Sequence, residues 1–258
     1  MAKADNAKKL MEMLHIHERI STNEAVELLK ISPASARRLF LHLENEGKLV
    51  RTYGGARIIE NEPMEYRFEN LERKNLQKKQ EIAKKACTLV EEGDIIYLDS
   101  GTTMYQFSLA LSEQLKEKKL RNIHVITNSM ANQAALQNDC DIVVIGGIYR
   151  PYRMAFAGYM SEIFINQFRV KKSFLGADGF HMDHGFMTTD IETAKLNEVA
   201  IKNSDVSFVL IDSEKLGVSS FISYASPRDI TLTIIDGGMS AKAKKMCESA
   251  GLRFYQGC

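Results

Sequence analysis

Residues 31–56 read ISPASARRLFLHLENEGKLVRTYGGA, and their reading decides the architecture of the N-terminal part of the chain. Ser32 is a hydroxyl N-cap with Pro33 at the first helical position, and Gly47 is a natural C′ residue, so a helix is expected between them. Within it Ala36, Leu39, Phe40 and Leu43 fall at i, i+3, i+4 and i+7 and form the stripe to be buried. The opposite face carries Ala34, Arg38, Leu41 and His42, and Arg37 lies on the flank. Ser32 and Ser35 stand at the helix start, where a recognition helix meets base edges or phosphates. Lys48–Tyr53 and Ala56–Ile59 then read as two strands around a Gly54-Gly55 turn, a hairpin that carries Lys48, Arg51 and Tyr53.

Upstream, Leu10, Met13 and Leu14 mark a helix within residues 6–18, and Ser21 with Glu24 three positions on forms a capping-box pattern that opens a second. A mere packing module could share these helices. The Ser-capped third helix, the paired arginines, the Gly stop and the Arg-bearing hairpin together favour a winged helix-turn-helix over residues 1–60.

This segment resembles the DeoR family of transcription regulators, and the resemblance runs to the C-terminus. Arg37, Arg38, Arg51, Gly54 and Gly55 match the family pattern, and the resemblance implies DNA roles for them. Three departures stand out: Ser35-Ala36 replace a Thr-Ile pair, Leu39 stands where an acidic residue is usual, and Tyr53 replaces a wing histidine.

Working outward, residues 61–78 form a charged connector expected to be helical, and residues 79–258 an α/β domain. DIIYLD, HVIT, DIVVIGG, SFLGAD, VSFVLID and TLTIID are short, mostly continuous apolar runs of the kind found in buried parallel strands, with Leu252–Tyr255 closing an edge. Helical patterns lie between them at Met104–Leu115, Ala131–Gln137, Ile191–Asn203 and Ala241–Ala250. The expected fold is thus an α/β domain with a mostly parallel sheet, preceded by a small winged helix-turn-helix.

In such sheets ligands gather at the carboxyl ends of the strands. DIIYLD ends in Asp99 and runs into Ser100-Gly101-Thr102-Thr103, whose amides and hydroxyls suit a phosphate. Asn128, Gly147, Arg150, Asp178, Asp212 and Lys215 follow other strand ends, and a helix opening near Asp190 presents Glu192 and Lys195. Each group alone could be an ordinary cap. Together they offer amides, hydroxyls and cations for a phosphate, and carboxylates and amides for hydroxyls, the mixture that a sugar phosphate needs. The family resemblance implies the same: a fold related to sugar-phosphate isomerases and coenzyme A transferases, used to sense a pathway intermediate without turnover.

The composition fits this reading. The 258 residues are 45% hydrophobic and 26% charged with a net charge of +1, no uncharged run is long enough to span a membrane, and the N-terminus lacks a secretory pattern, so cytoplasmic residence is expected. Cys87, Cys140, Cys247 and Cys258 have no metal or disulfide spacing. His181, Asp183 and His184 make a poor ligand set, so neither metal nor cofactor is expected. The expected partners are double-stranded operator DNA, a phosphorylated sugar and at least one further copy of the chain. The alternative is a sugar-phosphate isomerase, with Asp178, Glu192 and Lys195 moving protons between carbons.

Overall fold

In a computed structural model the chain divides into two compact units, residues 1–66 and 67–258. The structure describes residues 6–7, 9–11, 13–14, 19–45, 48–58 and 67–256. Gly47, His15, His17, Ile59 and residues 61–66 of the expected connector lie outside them.

In the first unit, helical residues within 6–14 make up α1, followed by β1 (Arg19–Ser21), α2 (Thr22–Leu29), α3 (Pro33–Asn45), β2 (Leu49–Thr52) and β3 (Gly55–Ile58). The capping box forms as expected. Glu24 N donates to Ser21 Oγ at 3.2 Å and Ser21 N donates to Glu24 Oε2 at 2.7 Å. Ser35 N donates to Ser32 Oγ at 3.2 Å, which caps α3. Ala36, Leu39, Phe40 and Leu43 are buried beside Leu10, Leu14, Ala25 and Leu49 in one core. Leu39, which departs from the family's acidic residue, is thus a core side chain.

The hairpin corrects one expectation. The turn residues are Tyr53 and Gly54, not Gly54-Gly55, because Gly55 pairs with Thr52 inside the ladder. The reason is β1, a strand absent from the periodicity. It pairs antiparallel with β3 so closely that a Cβ on Gly55 would sit 2.2 Å from the Ile20 carbonyl oxygen. Gly54, at φ +94°, takes the turn conformation that side chains resist.

In the second unit, residues 67–78 pack with the large domain, forming α4 (Phe68–Arg73) and the start of α5 (Leu76–Cys87). Seven strands then build one sheet: β4 (Ile95–Leu98), β5 (His124–Thr127), β6 (Asp141–Val144), β9 (Val170–Gly176), β12 (Ser204–Leu210), β14 (Leu232–Ile235) and β15 (Phe254–Gln256). Their order is β15-β14-β12-β9-β4-β5-β6 and every pairing is parallel. The apolar runs alternate between the two faces. Ile96, Leu98, Phe174, Phe208 and Ile234 pack under α5 and α6 (Thr102–Lys116). Tyr97, Leu175, Val209 and Ile235 face α9 (Ile191–Lys202) and α10 (Ala241–Ser249). The layers are therefore helix, sheet, helix.

Shorter elements crowd the carboxyl edge. β7 (Ile148–Arg150) and β8 (Ala155–Ala157) form a flap that leads into α8 (Tyr159–Ile165). A second small sheet joins β10 (Gly179–His181), β11 (Gly185–Thr188) and β13 (Ile222–Ala225). α7 (Met130–Leu136) follows β5.

Candidate functional site

The first unit presents α3 as an exposed helix. Arg37, Arg38, Leu41 and His42 are exposed along it, and Ser32 Oγ donates to Ser35 Oγ at 3.0 Å at its start. On the hairpin Lys48, Arg51 and the turn residue Tyr53 are exposed. Arg51 is braced. Its Nε donates to Glu44 Oε2 at 2.7 Å and its backbone N to Glu44 Oε1 at 2.9 Å, which hold that carboxyl below its ordinary range. Glu44 was invisible as a wing residue because it belongs to the last turn of α3. Arg19 and Arg57 pair across β1 and β3, both exposed, and extend the cationic surface.

The second unit has a topological switch point. β4 leads to β5 on one side, while its other neighbour, β9, continues to β12, so the crevice beyond these two strand ends is where a doubly wound sheet holds ligands. Asp99 lies there, 2% exposed. Its Oδ2 accepts from Gly176 N at 3.1 Å and from Asn197 Nδ2 at 3.3 Å, and its Oδ1 accepts from Ser100 N at 2.6 Å. Burial pushes its pKa up to about 6 despite these donors. The next residues turn into α6 through Gly101 at φ +119°, and no side chain caps that helix, so its first amides keep their donor capacity. Ser100, Thr102 and Thr103 are buried around this turn.

Asp178 follows β9. Its Oδ2 accepts from Thr188 Oγ1, Thr189 N and Thr189 Oγ1 at 3.0 to 3.1 Å. Lys215 donates to the Ala177 carbonyl at 2.7 Å and lies 4.0 Å from both Asp178 Oδ1 and Asp212 Oδ2. The ends of β9 and β12 are joined through that ammonium. From the flap, Arg150 Nη2 is 2.5 Å from Glu192 Oε2 and its Nη1 is 3.4 Å from Asp190 Oδ2. Glu192 thus pairs across to the flap, and Lys195 is exposed further along α9.

Two expected residues have internal partners. Asn128 donates to the Phe156 carbonyl at 2.9 Å and accepts from Tyr97 Oη at 3.3 Å, tying β5 to β8. Gly147 has a packing reason, since a Cβ there would lie 2.1 Å from Ser161 Oγ and 2.8 Å from the Ala157 carbonyl oxygen.

Several neighbours escaped sequence reasoning. Asn132 Nδ2 donates to the Asp99 carbonyl at 2.8 Å, and Asn197 reaches the Asp99 carboxylate. Both side chains are fully buried, and neither amide oxygen has a hydrogen-bond partner among the described residues. Arg153, which the sequence places with Arg150 close behind the Gly146-Gly147 strand end, donates from Nη2 to Thr189 Oγ1 at 2.8 Å. The loop after β12 is also held from α5: Asn75 Nδ2 donates to Glu214 Oε2 at 2.9 Å, and Lys78 Nζ reaches Ser213 Oγ at 3.1 Å and Glu214 Oε1 at 3.0 Å. The buried Lys79 ammonium donates to the carbonyls of Leu71 and Lys74 at 2.5 and 2.6 Å, and burial, reinforced by the Lys215 charge, lowers it to about 8. Otherwise only the polar run Thr188-Thr189-Asp190 before a helix carried a readable signal, that of a cap.

Comparison with known proteins agrees with this division. Residues 7–62 match the model of a DeoR-like helix-turn-helix domain, and residues 74–237 that of the DeoR C terminal sensor domain. The chain is 33% identical over 228 residues to an uncharacterized HTH-type transcriptional regulator, FruR, of Bacillus subtilis, covering 88% of each chain. It is 34% identical over 218 residues to the lactose phosphotransferase system repressor of Lactococcus lactis, covering 83% of this chain and 84% of that one. Among solved structures, ribose 5-phosphate isomerase A of Methanocaldococcus jannaschii aligns with 55% of this chain and 54% of its own at a TM-score of 0.42 and 21% identity. The reader, the sensor and the two family matches over both of them lead to one conclusion: the chain belongs to the DeoR family of transcriptional regulators, and it is a regulator rather than an enzyme.

Proposed function

We propose that this chain represses a carbohydrate-utilisation operon and that a phosphorylated sugar releases it from its operator. The observation that carries the reading is the cluster at the switch point, where Asp99, Asp178 and Lys215 meet an uncapped helix N-terminus. Phosphate suits the amides of the Ser100–Thr103 turn and a cation such as Lys215 or Arg150. Sugar hydroxyls suit Asp99 and Asp178, and the unpartnered amide oxygens of Asn132 and Asn197 also call for hydroxyl donors. Asp212 and Glu192 hold the two cations in place, while Lys195, Asn128 and Gly147 shape the surrounding walls.

On DNA, Arg37, Arg38 and His42 read the major groove from α3, Ser32 and Ser35 meet the backbone at its start, and Lys48, Arg51 and Tyr53 contact phosphates from the wing. Two or more copies address repeated half-sites, in the cytoplasm. Effector binding needs to favour the released form by only about 1 to 3 kcal/mol, a 5- to 150-fold loss of operator affinity.

The test is a thermal-shift panel of sugars and their phosphates on the intact protein. A phosphorylated sugar at about 100 times its dissociation constant stabilises the native state by about 2.7 kcal/mol. The same compound then releases a DNA ligand selected from a random pool. Equal shifts by parent sugars, or none by any sugar phosphate, would overturn the reading.

A further inference from the structure

Helix α8 is inside out. It buries Ser161 and Ile165 and presents Tyr159, Met160, Ile163 and Phe164 outward, 73%, 65%, 41% and 44% exposed. These four stand at i, i+1, i+4 and i+5, two adjacent rows along one helix face. The face continues onto the flap. Ile148 pairs with Ala157 beside the start of α8, and its Cδ1 lies 3.5 Å from where a Cβ on Gly158 would stand. Ile148 and Tyr149 are themselves 64% and 45% exposed. Ser161 Oγ, donating to the Gly146 carbonyl at 2.8 Å, fixes α8 against the root of this flap.

With on the order of 200 Å² for a fully exposed large side chain, these six residues present roughly 650 Å² of apolar surface. That is at the upper limit for the largest patch of a monomer and close to the ~800 Å² that each partner buries in a standard interface. Arg150, a cation next to the patch, is held by Asp190 and Glu192, so its charge is matched by carboxylates rather than offered to a nucleic acid. Two adjacent apolar rows on a short helix are self-complementary: a two-fold axis over α8 sets the rows of one helix between those of the other.

We infer that the α8–β7 face is the self-association surface of this protein and that a second copy of the chain covers it through the same residues. The choice of a second copy rests partly on the proposed function, because a chain with one reader needs a partner to address two half-sites. The surface also adjoins the effector site. β7 carries Arg150 and α8 packs against α9, the helix that carries Glu192 and Asn197.

The test is sedimentation equilibrium of the intact protein at micromolar concentration, with the double variant Tyr159→Glu, Phe164→Glu beside it. The expected wild-type mass is at least that of a dimer, and the variant, with a native circular dichroism spectrum, has half that mass. A thermal shift by sugar phosphates persists in the variant, so loss of self-association is read separately from loss of effector binding. A monomeric wild type, which would mean that the face is covered from within the chain or by a different protein, overturns the inference. So does a folded variant that keeps the wild-type mass. Should the charged variant not fold, Ile163→Ala with Phe164→Ala is expected to raise the dissociation constant of the dimer at least tenfold, and an unchanged constant refutes the inference equally.

Discussion

Arg150 on the flap and Glu192 on α9 meet at 2.5 Å although 42 residues separate them. Asp190, which caps α9 by accepting from Thr193 N at 2.7 Å, stands 3.4 Å from the same guanidinium. One cation therefore faces two carboxylates at the rim of the proposed effector site, and an incoming phosphate would compete with them for it. Hydrogen bonds to charged groups contribute about 1.5 to 3 kcal/mol each, so Arg150→Ala should weaken binding of the sugar phosphate about tenfold or more. Glu192→Gln, which removes a competitor and keeps the shape, should tighten it. Calorimetric titration of both variants decides: equal losses in both would make Arg150 a strut that never touches the effector.

Asp99 sets a pH dependence whose sign follows from its burial. Its folded-state pKa of about 6 lies above the ordinary carboxylate value of 3.8, so between these pH values the folded protein binds a proton that the unfolded chain has released. Stability from this group is thus complete below about pH 4 and is lost as pH rises through 6, amounting to about 3 kcal/mol. Asp99→Asn abolishes the titration but sets an amide N–H₂ against the donors Gly176 N and Asn197 Nδ2. Melting curves of wild type and variant between pH 4.5 and 8 should therefore diverge in slope, the wild type losing more stability on the alkaline side. Parallel curves would show that Asp99 stays ionised throughout.

The strands of the main sheet were legible because most of them contain a short apolar run, and polar residues at their ends marked the carboxyl edge; the polar first halves of β9 (Val170-Lys171-Lys172) and β12 (Ser204-Asp205) gave no such signal. Elements whose existence depends on distant partners were not legible. β1 is only Arg-Ile-Ser, and nothing in those letters announces that β3 lies beside it. β7, β8 and β10 are each three residues long, too short for a period to emerge. Asn132 and Asn197 lie in helices that would read equally well with other residues there. Their contacts with Asp99 span 33 and 98 positions, so only the fold brings them to it. Glu192 and Lys195 illustrate the limit of local spacing: one helical turn apart, they suggest a pair, yet the carboxylate crosses to the flap.

The two wing glycines should respond differently to the same substitution. Gly55→Ala places a Cβ 2.2 Å from the Ile20 carbonyl oxygen, so β1 and β3 cannot keep their register, and the reader should lose about 3 kcal/mol or more. Gly54→Ala meets no atom within 4 Å and strains only a φ of +94°, for about 1 kcal/mol. Calorimetry of the intact protein should show the loss in a transition of the reader while the sensor still melts as before and still responds to sugar phosphate. Equal effects of the two substitutions would mean that β1 does not pair there.

Arg38 and Arg51 should differ on DNA. Arg38 is exposed in the middle of α3, so Arg38→Ala should cost about 1 to 3 kcal/mol and relax sequence preference. Arg51 is braced by Glu44 on the wing, and its loss should weaken binding to all sequences alike and reduce the salt slope by about 1. Binding to specific and scrambled DNA across a salt series separates the two roles. A loss of selectivity in Arg51→Ala would move it from the backbone to a base edge.

The loop after β12 offers a route by which the sensor state reaches the chain that leads to the reader. Asn75 and Lys78, at the junction of α4 and α5, are hydrogen-bonded to Ser213 and Glu214, next to Asp212 and Lys215. A shift of that loop on effector binding would pull on the start of α5, a few residues after the boundary at 66. Lys78→Ala removes two of these links without touching Asp178, Lys215 or the Ser100–Thr103 turn. It should leave the affinity for sugar phosphate within about twofold and the affinity for DNA likewise, while the effector-induced loss of DNA affinity shrinks by about 1 kcal/mol, roughly fivefold. Because coupling is reciprocal, the DNA-induced loss of effector affinity should shrink by the same factor, and this equality can be read independently in the same variant. If Lys78→Ala retained full release while binding both ligands normally, the signal would have to travel by another path, and the flap that carries Arg150 would be the next place to look.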